Sequence, residues 1–192
     1  MDSLKNSLSS TDMGMQAPCI WFCGFSGAGK TTIACLLRQH LAQRGHAAFV
    51  LDGDNLRAGL CADLGFSQAH RRENLRRTRE VAKILSATGQ IPIVACISPF
   101  EADRQAARNL FPEKRFVLVF VDTPLDECAR RDPKGLYAGA RRGELQDFTG
   151  LSSPFEAPAR AEVHVRGQTP EEAAHTILRT EALRNRMAAP CR

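Results

Sequence analysis

Residues 24–32 read GFSGAGKTT, and Gly24 through Thr31 fit the spacing G-x-x-x-x-G-K-[ST]. Chemistry at this spacing is phosphate binding. Glycines let successive backbone N–H groups turn inward around an anion, and a helix starting there aims its positive end at the same point. The loop Gly24, Phe25, Ser26, Gly27, Ala28, Gly29, Lys30, Thr31 and Thr32 is expected to hold ATP. Lys30 reaches its β- and γ-phosphates, and Thr31 offers a hydroxyl to Mg²⁺. The apolar run CIWFC (19–23) precedes the loop and an amphipathic pattern follows it, the context the motif requires.

Other candidates sit just after apolar runs. Asp52 and Asp54 in DGDNLR follow AAFVL (47–51). A carboxylate there can hold a metal through water or take a proton from a hydroxyl; an ordinary solvated Asp-Gly turn fits equally well. Ser98 in ISPF closes a third run and is a substrate ligand or a nucleophile, with no histidine near it in sequence to activate it. HRRENLRRTR (70–79) carries five arginines. On a helix Arg71 and Asn74 share a face and suit an oxyanion, whereas Arg72, Arg76 and Arg79 read as a solvated basic face. Phe66 and Phe148 fall in loops, as core plugs or as platforms for a base.

These residues must be positioned by something, and the pattern says what. Apolar runs at 19–23, 47–51, 91–97, 116–121 and 163–165 alternate with helical patterns at 30–43, 70–87, 101–110, 125–131 and 170–187. Runs that are apolar nearly throughout belong to strands covered on both faces. The alternation predicts an α/β fold: a P-loop NTPase-type, doubly wound, five-stranded parallel sheet with helices on both faces. Gly45 and Gly89 suit helix C-termini, and Thr169-Pro170-x-Glu172 a helix start. Residues 132–160 break the pattern; a Gly-, Pro- and charge-rich connection of this length in a phosphate-transfer enzyme is expected to be a mobile lid.

With 192 residues, 43% hydrophobic and 24% charged, the chain suits one domain, expected over 18–189 behind a polar, disordered lead-in at 1–17. No apolar run reaches membrane-spanning length, and the lead-in lacks the apolar core of a secretory signal. The net charge of +5 fits either an anionic partner or an ordinary basic surface. Seven cysteines without C-x-x-C spacing argue against zinc and a disulfide framework. The setting is read as cytoplasmic and reducing, with no membrane role. A nucleic-acid role is set aside, since the arginine cluster is single and has no stacking platform beside it.

Taken together, GFSGAGKTT, LDGDNLR, LCADLGFS, RRENLRR, ISPF with ADR, RDPKGLY, DFTG and PFEAP resemble the adenylylsulfate (APS) kinase family over about residues 18–178. The resemblance implies transfer of the γ-phosphoryl of ATP, with Mg²⁺, to the 3′-hydroxyl of APS, giving 3′-phosphoadenylyl sulfate (PAPS). It implies a homodimer, with APS arriving from a separate ATP sulfurylase. It assigns Arg57, Arg71 and Asn74 to the phosphosulfate, Phe66 and Phe148 to the APS adenine, and Asp52, Ile97 and Ser98 to the acceptor site. Asp54 would stand near the 3′-hydroxyl and, with Thr31, the metal. Arg131 would cover the ATP base, and the segment from Asp132 would close as the lid. Catalysis would rest on Lys30, Asp54 and Ser98, by direct in-line transfer with Ser98 binding substrate rather than forming a covalent intermediate. The chain departs from the family at Gln146, Asp147, Ala138, Gly139, His70 and Glu101. Two alternatives are another small P-loop kinase with a different hydroxyl acceptor, and a non-catalytic nucleotide-binding regulatory domain.

Overall fold

The computed structural model describes residues 16–145 and 147–188. Five strands form one parallel sheet in the order β2-β3-β1-β4-β5: β1 (Cys19–Cys23), β2 (Ala48–Asp52), β3 (Ile91–Ala95), β4 (Phe116–Val121) and β5 (Val163–Val165). Alternation along the strands splits the core in two. Ile20 and Phe22 face α1 (Lys30–Gln43) and α7 (Pro170–Leu178), packing with Leu37, Leu41 and Ile177. Cys19, Trp21 and Cys23 face α3 (Gln68–Ala87) and α4 (Glu101–Arg108), packing with Leu75, Ala82 and Ala107. Both faces of β1 are therefore covered, which is why CIWFC shows no polar alternation.

Most elements lie where the sequence places them, and three differ. DGDNLR is not a simple turn: Gly53–Ala58 form a short helix, α2, capped by the Asp52 side chain. The connection at 132–160 holds α6 (Leu136–Arg141), whose first amides donate to the Asp132 carboxylate. Six residues are too few to show a helical apolar period, so caps alone mark these helices. The helix expected over 170–187 is two, α7 and α8 (Glu181–Ala188), separated at Arg179 and Thr180. α5 (Leu125–Arg131) matches its expected range.

Helix ends follow local chemistry. Thr169 and Glu172 form a reciprocal capping box with Pro170 at the first helical position. Gly45 and Gly89 take left-handed φ of 77° and 82° just past α1 and α3. Of the expected lead-in only Gln16 and Ala17 are described, and both are tied in. Ala17 is buried and exchanges hydrogen bonds with Ser86, and Arg115 donates to the Gln16 carbonyl.

Candidate active site

The carboxyl ends of β1, β2 and β3 open onto one pocket of about 590 Å³. It lies where the order reverses, with β3 on one side of β1 and β4 on the other, the place at which open α/β sheets bind ligands.

The phosphate loop joins β1 to α1. Ser26, Gly27, Gly29, Lys30, Thr31 and Thr32 line the pocket. Phe25 and Ala28 turn away: the Phe25 ring packs on Phe155 at 4.8 Å, and the Ala28 carbonyl accepts from the Thr123 hydroxyl at 3.0 Å. Gly24 must be glycine, because with φ 139° its Cβ would stand 2.4 Å from the Val121 carbonyl oxygen. The Gly24 amide donates to the Ile97 carbonyl at 3.1 Å, tying the loop to the chain leaving β3. Lys30 is buried, and its ammonium donates to the Gly24 and Phe25 carbonyls at 2.9 and 2.6 Å. Burial lowers its pKa to about 8, a cost that phosphate oxygens would relieve.

The two aspartates, indistinguishable by spacing, separate in space. Asp52 is buried and committed: one oxygen accepts from the Asp54 and Asn55 amides, the other from Thr31 Oγ1 at 2.7 Å. Asp54 is exposed, and its carboxylate pairs with Lys134 of the 132–160 segment. A hydroxyl and two carboxylates clustered at the P-loop form the hard-oxygen donor set that suits Mg²⁺.

On the far wall α3 presents Arg71 and Asn74, one turn apart and both buried. Arg71 donates to the Phe66 and Asp147 carbonyls at 2.8 and 2.6 Å. Arg57 donates to the Leu64 and Gly65 carbonyls, and its guanidinium lies 4.4 Å from the Phe66 ring centroid. Burial pulls the pKa of both arginines down. The Asn74 amide nitrogen is buried without a partner. The arginines expected to be surface features behave so in part: Arg72 and Arg76 are exposed, whereas Arg79 is only partly exposed, its Nε making no hydrogen bond but lying 3.9 Å from the Glu80 carboxylate.

Phe66 is half-exposed at the pocket edge, whereas Phe148 is buried, 4.9 Å edge-on from Tyr137. Both line the pocket. Ser98 is buried at φ 46°, a left-handed backbone uncommon for a non-glycine residue. Its hydroxyl oxygen accepts from the Trp21 indole at 2.9 Å, and its carbonyl accepts from buried Arg104 at 2.7 Å. An indole N–H is the opposite of a general base, so the geometry leaves the Ser98 proton to donate into the pocket. Cys96 also lines the pocket, but burial pushes its thiol up to about 12, so it is protonated. Arg131 does not join the wall; it is paired with Glu127 on α5. Gln146 lies outside the described residues.

Sequence reasoning missed several supports. Tyr137 donates its hydroxyl to the Ser26 carbonyl at 2.9 Å, fastening the 132–160 segment to the phosphate loop. Lys134 and Tyr137 both belong to RDPKGLY, so the motif held the signal without their partners. Arg104 belongs to ADR, again without its partners, while Trp21 and Thr123 gave none, since each acts across the fold.

The family model for adenylylsulphate kinase matches residues 16–166. An adenylyl-sulfate kinase of Aeromonas hydrophila is 54% identical over 152 residues, 79% of this chain and 77% of that protein. The bifunctional enzyme NodQ of a Rhizobium species is 53% identical over 164 residues, which are 84% of this chain but 25% of NodQ. The solved APS kinase CysC of Mycobacterium tuberculosis, in complex with AMPPNP and APS, superposes with a TM-score of 0.82. It is 45% identical and covers 85% of this chain and 96% of its own.

Proposed function

The chain belongs to the adenylylsulfate kinase family and is an ATP-dependent kinase of APS, and we propose how its own residues carry the transfer of the γ-phosphoryl to the APS 3′-hydroxyl. One observation carries the reading. Two guanidiniums whose hydrogen bonds go to neutral carbonyls, Arg71 buried and Arg57 partly buried, and a buried amide nitrogen without a hydrogen-bond partner face the same pocket as a P-loop lysine. Such a wall is desolvated positive charge in need of an anion, and the pocket offers a second anion site opposite the first.

The loop amides and Lys30 hold the β- and γ-phosphates of ATP. Arg57, Arg71 and Asn74 hold the phosphosulfate of APS, with Phe66 and Phe148 flanking its adenine and Ile97 and Ser98 lining the ribose side. Asp54, whose oxygens are not spent on caps, takes the proton of the 3′-hydroxyl as it attacks in line. Ser98 donates a hydrogen bond and forms no covalent bond. Thr31 and Asp54, with Asp52 orienting Thr31, would hold Mg²⁺, which when bound neutralises charge on the phosphates. Residues 132–160 act as the lid, and Lys134 exchanges Asp54 for a phosphate oxygen as the lid closes on ATP. Arg131 then packs against the ATP base. The working unit is read as a homodimer in the cytoplasm, supplied with APS by a separate ATP sulfurylase; residues 18–189 are read as its catalytic domain. Among the described residues no helix is long and apolar enough to cross a membrane.

The test is to incubate the purified chain with Mg-ATP and APS and to follow ADP and PAPS together. Matched yields are expected. Folded, ATP-binding protein that makes no PAPS would overturn the reading in favour of another acceptor or a regulatory nucleotide-binding role.

A further inference from the structure

Far from the pocket, α1 and α7 bring together His40, Glu171 and His175. His40 lies ten positions along α1 from Lys30, about 15 Å down the helix axis. Glu171 occupies the first turn of α7, and His175 follows it by one turn on the same face. Both imidazole Nε2 atoms approach a single carboxylate oxygen, Glu171 Oε1, at 2.7 Å from His40 and 3.3 Å from His175. The two rings lie 4.9 Å apart, and the ligating atoms of all three residues fall within 4.8 Å of one another. The neighbouring Glu172 carboxylate is occupied by the capping box, which leaves Glu171 to face the histidines.

We propose that His40, Glu171 and His175 form a binding site for a borderline transition-metal ion of the Zn²⁺ class, which bridges the P-loop helix α1 to α7 and is separate from the Mg²⁺ used in catalysis. Two imidazoles and one carboxylate are the ligand set such ions favour, while Mg²⁺ prefers an all-oxygen shell. With bonds of roughly 2.0–2.2 Å, tetrahedral ligands stand roughly 3.3–3.6 Å apart, so small side-chain rotations bring the trio to ligating distance. Glu171 and His175 are exposed, which leaves room for water in the remaining coordination position. Each helix contributes to the site, so bound metal fastens α7 against the helix that begins with Lys30.

The test uses the full chain stripped with a chelator, titrated with Zn²⁺ by calorimetry and with Co²⁺ by its visible absorption, both in excess Mg²⁺. One equivalent is expected to bind and to raise the melting temperature. Even outer-shell partners of metal sites are worth 10–100-fold in affinity, so loss of a ligand in His175→Ala or Glu171→Gln should cost roughly tenfold or more. Both positions are exposed, so folding of these variants is expected to survive, and circular dichroism checks it; their APS kinase turnover in Mg²⁺ alone should match the parent. Cys35→Ser, which removes the partly exposed thiol on α1, should leave binding unchanged. Absence of saturable binding, equal affinity in His175→Ala, or loss of binding in Cys35→Ser would each overturn the proposal. In the first case the trio is only a hydrogen-bonded clamp between two helices.

Discussion

Replacing Ser98 by alanine separates two roles for this residue. The Trp21 indole is fully buried and donates to Ser98 Oγ at 2.9 Å. Alanine leaves that buried N–H without its acceptor, which costs about 1–3 kcal/mol of stability. The positive φ of Ser98 is no harder for alanine than for serine, so backbone strain adds little to the difference. The loss should therefore depend on the indole. With Trp21→Phe already in place there is no donor to orphan, and Ser98→Ala should cost about 1 kcal/mol or more less than it does alone. Urea unfolding of the parent, both single variants and the double variant measures this coupling. Turnover of the same proteins distinguishes the two roles of the hydroxyl. If Ser98 only donates a hydrogen bond to bound substrate, removing it forfeits about 0.5–1.5 kcal/mol, or roughly a 2- to 10-fold fall in turnover. A loss of several orders of magnitude in folded, APS-binding Ser98→Ala would refute direct transfer. An equal stability cost with and without Trp21 would refute the indole as the anchor.

Lys30→Met should abolish ATP turnover yet raise the stability of the nucleotide-free protein near neutral pH. Burial lowers the Lys30 pKa from 10.5 to about 8, so its penalty is full below pH 8 and fades as pH rises toward 10.5. The gain from Lys30→Met should shrink over that window in thermal melts, and a constant gain would contradict the assignment. Gly24→Ala meets both a positive φ and a backbone oxygen at 2.4 Å, whereas Gly29→Ala at φ 103° meets nothing within 4 Å. Chemical denaturation should show Gly24→Ala several kcal/mol down and Gly29→Ala only about 1–2 kcal/mol down; equal losses would mean conformation, not contact, decides. Lys134→Met removes the partner of Asp54 from a half-exposed pair, so stability should change by less than about 1 kcal/mol while KM for ATP rises. An unchanged KM would remove Lys134 from the closing step.

The parts legible in the sequence were those whose determinants are contiguous. GFSGAGKTT, with an apolar run before it and a helix after it, defines its own phosphate cradle, because covalent spacing alone sets which amides converge. The same holds for the fully apolar strands, which report burial on two faces, for the Thr169 capping box, and for Arg71 and Asn74, which a helical period places on one face. Short helices escaped because α2 and α6 are held by the side chains of Asp52 and Asp132 rather than by any apolar repeat. The break at Arg179 and Thr180 left no proline or glycine behind.

Tertiary structure decided which of two similar residues does what. Asp52 and Asp54 differ by two positions, yet the fold spends one on a helix cap and Thr31 and leaves the other facing Lys134. Ser98 lies 77 residues from the indole that sets its proton direction, Tyr137 lies 111 from the loop carbonyl it fastens, and His40 lies 131 from Glu171. A motif records the spacing of groups along the chain. These partners meet only because strands in the order β2-β3-β1-β4-β5 bring their carboxyl ends, and the helices between them, to common faces. That order is a property of packing, where burial of apolar faces chooses among arrangements that local spacing leaves equal.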